Sequence, residues 1–581
     1  MKQAIKLITQ GVFIMNKKQK IITFSMAIGI FLCMLDTTIM NIALPKIQTG
    51  LNVSLESLSW ALNIYTIIFA VLTIPFARIA DLFGKNKVYL IGLAAFMLGS
   101  LFSGIAANTI WLVIGRGIQS LGAAIVFPAS MTIGISSVSL KDRKTVLTVL
   151  GITQGLAAAL GPTVGGIITQ YLNWRYIFFI NLPLITLALF LAICLLPLKN
   201  EKVVNAKIDL PGMFLSMIML FSLTLILIKG NDWGWHSSSI IILVATVPLS
   251  LGLFVIIEHY SHAPMIPLAL FRERQFVGAV LAMTLSSIFL VGIMVIMPTF
   301  FTTVLEKSEL TAALMITPTS LMIFFLSPVG GRLVETTGPR LMMLLGFLLM
   351  IAGYIVLAII DPEHYNQLVI SFMLIGGGFG IIAGPIVILG ASNFTGELLT
   401  ASQSVLGLFR QIGTLLAVAV FVSSLTTNLK TAKTRSLNNA DARIEAAALP
   451  HASKKAFKEN VKKALEHGET ANKSQSAMTV RAKTITKTRY KAVLARIPNG
   501  SSLPETAKQN IYAKVSARVK QNIKHQRSIV LFVTKRIKQD IKRNLKQAFL
   551  SPYRKAVPFI ILSGFSSFLF YRKKDYHHMS S

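Results

Sequence analysis

Apolar runs of about 18 residues or more recur along this chain, near 21–44, 58–77, 88–106, 109–137, 145–170, 175–197, 211–228, 239–257, 276–301, 310–329, 341–360, 367–390, 402–425 and 556–571. A helix of that length crosses the roughly 30 Å hydrocarbon layer of a bilayer. Inside lipid every backbone N–H and C=O must be paired within the chain, so runs this long and this regular predict α-helices and nothing else. About fourteen spans are expected, the last of them the shortest. With 53% hydrophobic residues, 14% charged residues and a mean hydropathy of +0.65 over 581 residues, one soluble core cannot hold this much apolar surface. The fold class is an all-α, multi-pass membrane protein.

Orientation follows from Lys and Arg in the short loops. With the N-terminus inside, the inner loops carry Arg78, Lys85, Lys87, Lys141, Arg143, Lys144, Lys199, Lys202, Lys207, Arg272, Arg274, Arg332 and Arg340, against Lys46, Arg175, Lys229 and Lys307 outside. An even number of spans then places the tail 572–581 inside as well. Residues 1–20 read as a cytoplasmic N-terminal tail, with Met15 the more natural start because it leads directly into Asn-Lys-Lys-Gln-Lys. The first run is too long for a signal-peptide core and lacks a small-residue cleavage pattern before Pro45, so it is expected to stay as a helix. Both cysteines, Cys33 and Cys194, fall within spans, which excludes a disulfide framework and a thiolate metal site.

An internal echo organises the chain. The loop after span two reads ARIADLFGKNK and the loop after span ten reads GGRLVETTGPR, both short, basic and glycine-containing. A duplicated six-helix unit places matching loops this way. The expected division is an N-terminal six-helix bundle at 21–197, an inserted transmembrane hairpin at 211–257, and a C-terminal six-helix bundle at 276–425 plus 556–571. Residues 426–555 break the pattern, with 30 Lys plus Arg against 7 Asp plus Glu, about +23 of the chain's formal +34. They read as a large extracytoplasmic loop. Within it Ile511, Val515, Val519 and Ile523, then Val533, Ile537, Ile541, Leu545 and Phe549, recur every fourth position, the period of an amphipathic basic helix. Membrane lipid headgroups or an anionic cell-wall polymer would suit such a face; a solvated hairpin without a ligand fits equally, and the location argues against nucleic acid.

Asp36, in the string LDTTIMNIALP, is the one carboxylate inside an apolar run. A charged Asp at the centre of a membrane helix costs roughly 2.5 to 3.5 kcal/mol, so such an acid ordinarily handles ions or substrate, the competing role being a polar residue packed between helices. Arg116 lies one turn into span four and needs a partner or water at that depth, unless it snorkels to an interface. Asp81, Gly84, Lys85 and Lys87 form a tight inner turn, a candidate conformational latch in which the carboxylate caps a helix N-terminus. Gly161, Pro162, Gly165 and Gly166 let span five bend and let another backbone approach closely. Trp174, Arg175 and Asn181 read as interface anchors and caps. Candidate cavity residues are the polar Asn41, Gln119, Gln154, Arg410 and Gln411, and the adaptable apolar Tyr65, Phe127, Met131 and Met294, joined by Phe301.

LDTTIMNIALP, ARIADLFGKNK, RGIQSLGAA, LGPTVGG and NWRYIFFINLP occur in this order within spans one to six, and DLPG, GNDWGWHSS, PLALFRERQF and SVLGLFRQIG follow. Together they resemble the major facilitator superfamily, specifically the fourteen-segment drug:proton antiporters of the EmrB/QacA type. The likeness covers about residues 20 to 425 and the last span. Ala77 stands where that family usually has Gly, Leu82 where Arg is frequent, Asn86 where a cation is common, and Ser120 where Gly is usual. The resemblance implies proton coupling through Asp36 and Arg116, an antiporter motif at Gly161, Pro162, Gly165 and Gly166, and the major facilitator fold.

The expected function is therefore secondary export of amphipathic compounds, small lipophilic or cationic molecules, in exchange for protons across a bacterial cytoplasmic membrane. No cofactor beyond the proton gradient is expected, and the chain is expected to act as a monomer. The alternative keeps the fold and changes the cargo to a lipid, envelope precursor or metabolite, with 426–555 contacting anionic envelope polymer. A membrane anchor displaying a polybasic domain is a third class. An enzyme is not expected: there is no phosphate-binding loop, no His-Glu-x-x-His and no paired carboxylates in a span.

Overall fold

The computed structural model describes residues 15–575 except 54, 140–141, 200, 202, 204–208, 262–263, 392–393, 395, 468–485 and 498–502. The proposed start at Met15 is described; residues 1–14, Lys141, Lys202, Lys207 and the end of the C-terminal tail lie outside the described residues. The described chain is helical throughout, without strands.

Thirteen helices follow the apolar runs in order. They are α1 (Lys17–Leu51), α2 (Leu55–Phe83), α3 (Lys85–Gly104), α4 (Thr109–Ser136), α5 (Arg143–Tyr171), α6 (Tyr176–Leu195), α7 (Leu210–Trp233), α8 (Ser238–Tyr260), α9 (Arg274–Thr303), α10 (Glu309–Thr337), α11 (Pro339–Ile359), α12 (Tyr365–Leu389) and α13 (Gly396–Ala417). Several of their starts carry side-chain caps. The Asn108 side chain accepts from Trp111 N at 3.1 Å, that of Asp209 from Gly212 N at 2.9 Å, and that of Ser308 from Thr311 N at 3.2 Å. α5 bends by 41° between Thr145–Ala157 and Leu160–Tyr171. Pro162 explains the bend, since it removes the N–H that would serve the carbonyl four residues earlier, at the break.

The two halves repeat one packing scheme. In the first, α1 packs on α5, α2 and α3 on α4, and α6 on α1 and α3; in the second, α9 packs on α13, α10 and α11 on α12, and residues 564–569 on α9 and α11. The echo loops match in backbone detail too. Gly84 between α2 and α3 has φ 104°, and Gly338 between α10 and α11 has φ 90°. Both are conformations that side chains disfavour, which is why each turn needs glycine. α7 and α8 pack on each other, and α7 rests on α2.

By length and composition twelve of the described helices can cross a membrane, or thirteen with the bent α5 as one span, rather than the expected fourteen. The stretch at 556–571 is not an independent helix. It begins as the end of α16 (defined below) and breaks at Gly564 into a 3-10 turn, Gly564–Leu569, in the Gly-Phe-Ser-Ser sequence. It nevertheless runs the whole of α11. Arg554 Nε donates to Ala358 O at 2.9 Å at one end of that helix, and Arg340 Nε to Phe570 O at 3.0 Å at the other, about 30 Å apart by helical rise.

The chain divides into two compact units, one of residues 1–424 with 550–581 and one of residues 425–549. The second unit is built from α14 (Ser423–Ala446), α15 (His451–His467) and α16 (Glu505–Ser563), the first and last of which extend beyond it. Its core holds Ala440, Ile444, Val533 and Ile537, with Phe457, Val461, Ile529 and Ile541 packed around them. Arg443 grips Asp540 with two guanidinium nitrogens, and Asn544 Nδ2 donates to Ser436 Oγ at 3.0 Å. The fourfold periodicity of 533–541 thus faces α14 and α15, so three of the nine residues of the amphipathic stripe read from the sequence are spent on this small core.

Candidate functional site

α1 and α4 bring Asp36 and Arg116 together. Arg116 lies eight residues into α4 and Asp36 near the middle of α1, and the packing of these helices leaves both side chains essentially without solvent exposure. Arg116 Nη1 donates to Asp36 Oδ2 and to Gln119 Oε1, the latter at 2.6 Å. Gln119, one turn along the same face of α4, donates from Nε2 to Asp36 Oδ1 at 2.8 Å and to Ser100 Oγ at 3.0 Å. Arg116 Nε reaches Ala61 O at 3.3 Å. The Tyr65 ring lies 4.2 Å from the guanidinium carbon, a cation–π contact, and Tyr65 Oη donates to Cys33 O at 3.2 Å. Both carboxylate oxygens are therefore engaged, and the charge pair is sealed from water. Asn181 joins through Ser100 Oγ at 3.4 Å. Gln119 and Tyr65 belong to this network.

A second cluster lies where α2 meets α3. Lys85 Nζ sits 3.1 Å from Asp81 Oδ1 and donates to Thr400 Oγ1 on α13 at 3.0 Å, so one ammonium ties the first half to the second. Arg78 and Asp81 are buried and line a cavity with Met265, Ile266, Thr400 and Ser404; Lys87 is exposed. A carboxylate at the start of α3 comes from Glu201, beyond α6: Glu201 Oε1 accepts from Asn86 N, and a Cβ on Gly84 would collide with the same carboxylate. Asn86, where a cation is common, is buried and donates to Pro197 O at 2.9 Å. Glu258 at the end of α8 accepts from Met265 N at 3.0 Å and Ile266 N at 3.3 Å, fixing the loop that lines the cavity. Glu201 and Thr400 escape sequence reasoning because they lie 115 and 315 residues from their partners. Only the fold reveals them.

The glycines of α5 are where three helices touch. A Cβ on Gly161 would strike Thr38 Oγ1, one on Gly165 would lie 2.9 Å from Ile39 O, and one on Gly166 would lie 3.3 Å from Leu310 Cα and Ala313 Cβ. Gly161 and Gly165 thus seat α5 on α1, two and three residues past Asp36, while Gly166 seats it on α10 of the other half. Thr163 and Thr317 share a hydrogen bond of 3.1 Å across the same boundary.

Of the other candidate residues, Gln154 and Arg410 meet: Arg410 Nη1 on α13 donates to Gln154 Oε1 on α5, and Gln154 Nε2 contacts Met131 Sδ at 3.7 Å. The ring of Phe127 stands edge-on to Phe69 at 5.8 Å, and Phe69 stacks on Tyr65 at 6.3 Å. Gln411 and Phe301 are buried and Met294 is half-buried on α9; the side chain of Asn41 lies outside the described residues. Arg175 lies over the Trp174 ring at 4.3 Å and donates to Ala106 O at 3.0 Å. Among the described residues no group of His, Cys, Asp or Glu is placed to hold a metal ion.

The sequence profile of the Major Facilitator Superfamily matches residues 26–418. The chain is 30% identical to the multidrug resistance protein Stp of Mycobacterium tuberculosis over 71% of its own length and 76% of that protein's. It is 30% identical to the multidrug transporter protein MdtP of Bacillus subtilis, covering 68% of this chain and 74% of the relative. The probable multidrug resistance protein EmrY of Escherichia coli is 29% identical over 57% of this chain and 65% of its own. The match to the family profile ends before residue 425, where the second unit begins. A duplicated bundle of membrane-crossing helices, a profile match over most of its length and a set of multidrug transporters as relatives place the chain in one family: it belongs to the Major Facilitator Superfamily, as a multi-pass membrane transporter and not an enzyme.

Proposed function

We propose that this protein is a proton-driven exporter of amphipathic compounds in a bacterial cytoplasmic membrane, with both termini in the cytoplasm and Asp36 as the proton carrier. The observation that carries this reading is the sealed Asp36–Arg116–Gln119 network. A proton arriving on Asp36 removes the negative member of a buried ion pair, and the freed guanidinium must then find another partner or water. Loss of the pair therefore couples directly to a rearrangement of α1 against α4. The Gly161 and Gly165 contacts lie half a turn to a full turn beyond Asp36 on α1, and Gly166 carries the movement to α10. At the other end the Lys85–Thr400 bond is placed to hold one state and release it in the next. A membrane potential of 100 mV supplies roughly 2.3 kcal/mol for each charge carried across. The names of the relatives support drugs as cargo.

The test is efflux from proteoliposomes under an imposed pH gradient, comparing wild type with Asp36→Asn. The variant is expected to insert normally and to lose gradient-driven transport; full accumulation by Asp36→Asn would remove Asp36 from the proton path.

A second reading rests on the unit at 425–549, which lies beyond the family match and carries most of the chain's excess of Lys and Arg. In this reading the unit is extracytoplasmic and receives an anionic envelope product exported by the bundle. Deleting 430–550 separates the two: drug efflux preserved with an envelope defect favours the second, and unchanged envelope with preserved efflux favours the first.

A further inference from the structure

The charges in the middle of the helices do not balance. Apart from Asp36, the acids of α1–α13 stand near helix ends, whereas two cations lie deep within helices, Arg116 and Arg410. Asp36 is matched by Arg116. Arg410 is fifteen residues into the 22-residue α13, half-buried, and its side-chain hydrogen bond goes to a neutral amide, that of Gln154. With every group ionised the mid-helix charges therefore leave one positive charge uncompensated, and protonation of Asp36 adds a second. In neither state do the mid-helix charges offer a net negative charge to a cation. An arginine does not escape this by losing its proton, since its side chain stays charged in proteins. A guanidinium held away from water stabilises whatever anion can reach it, with two parallel N–H groups matched to a carboxylate, sulfonate or phosphate.

The surroundings suit an amphiphile. Gly407, one turn before Arg410, lies against Phe127, where an added Cβ would be 2.9 Å from the ring. From Phe127 the aromatic contacts continue through Phe69 and Tyr65 to Arg116. Met131 touches Gln154 on the other side. Arg410 and Gln154 also belong to equivalent helices of the two halves, α13 and α5, so a ligand taken by Arg410 displaces a hydrogen bond that joins the halves. We propose that Arg410, released from Gln154, is the anion-binding point for cargo, and that the transported compounds are amphiphiles bearing a carboxylate, sulfonate or phosphate group rather than lipophilic cations. This deepens the export reading and rests on it for the transport step, while the binding step stands by itself.

The experiment uses the purified full-length protein and two probes sharing one ring system, a naphthalene sulfonate and a naphthyl trimethylammonium. Binding is read by fluorescence in detergent, and transport in proteoliposomes under a pH gradient. The sulfonate is expected to bind wild type at least tenfold more tightly than the ammonium. Arg410→Gln should remove that preference, and Arg410→Lys should keep part of it. Gln154→Glu should remove it too, because the new carboxylate occupies the guanidinium; this variant adds an ion pair and keeps the test informative if Arg410→Gln misfolds. Tighter binding of the ammonium by wild type, or sulfonate binding unchanged in both Arg410→Gln and Gln154→Glu, overturns the proposal. Arg410-dependent sulfonate binding without gradient-driven flux of either probe upholds the site and sinks the export reading instead.

Discussion

Asp36 gives one carboxylate oxygen to Arg116 and the other to Gln119, so the ion pair of α1 and α4 is closed on itself with neither side chain open to water. Breaking a buried pair by removing one member leaves the other charge uncompensated, at a cost of about 3–5 kcal/mol. Arg116→Ala is accordingly expected to destabilise the protein by that order, and Asp36→Asn by less, since an amide still accepts from Arg116. Thermal unfolding in detergent measures the difference. Arg116→Lys is not a mild change here: an ammonium cannot keep the bonds to Asp36, Gln119 and Ala61 together, and gradient-driven efflux is expected to fall at least tenfold. Wild-type efflux by Arg116→Lys would show that the charge alone suffices.

Lys85 bonds both to its own turn, through Asp81, and to Thr400 on α13. A hydrogen bond of this kind contributes about 0.5–1.5 kcal/mol, enough to move a two-state equilibrium roughly 2- to 13-fold. Lys85→Ala and Thr400→Val should shift the population equally, and the double variant no further. Labelling of a cysteine introduced at Ser404, on the cavity wall, reports the opening. Additive effects of the two changes would mean that the contact is not what holds this end closed.

Gly161 meets Thr38 so closely that a single added carbon overlaps the hydroxyl. Over-packing of this kind costs about 1–3 kcal/mol. Gly161→Ala is expected to reduce stability and efflux together, and Thr38→Ala added to it should restore both by removing the obstructing atom. Gly166→Ala, where the nearest atoms are 3.3 Å away, should be several-fold milder. No rescue by Thr38→Ala would place the strain elsewhere.

Asp36 and Arg116 each stood out in the sequence because a charge in an apolar run needs a partner or water, and the packing of α1 on α4 shows that they partner each other. Gln119 was legible only as a polar residue in the same helix, although its i+3 spacing from Arg116 already put both on one face. The helix order of both halves followed from hydropathy alone. The fourteenth run did not resolve as an independent helix, because hydropathy registers Phe565, Phe568 and Phe570 but neither the long helix that leads into the run nor its break at Gly564. Glu201 and Thr400 carry no local signal at all. Their roles come from chain segments that are distant in sequence and adjacent only after folding, and the substitution of Asn86 for a cation makes sense only beside Pro197 and Glu201.

The unit at 425–549 should melt by itself when its small core is broken. Ile537 is 4% exposed and packs with Ile444 and Val533, so Ile537→Asp buries a charge without a partner and is expected to unfold this unit while leaving α1–α13 intact. Its stability should also fall at alkaline pH. The hydrogen bond from Lys458 to Glu445, 2.7 Å long, holds the Lys458 ammonium above the usual lysine range. A raised folded-state pKa stabilises fully below the unfolded value, near 10.4, and the contribution disappears as pH rises through the folded value. Glu445→Gln should lower stability slightly at neutral pH and flatten this part of the pH dependence by the same small amount, because the pair is exposed and screened. Proteinase K digestion between pH 8 and 11, following fragments cut within 425–549, measures both effects; equal alkaline lability in wild type and Glu445→Gln would assign the loss to other groups.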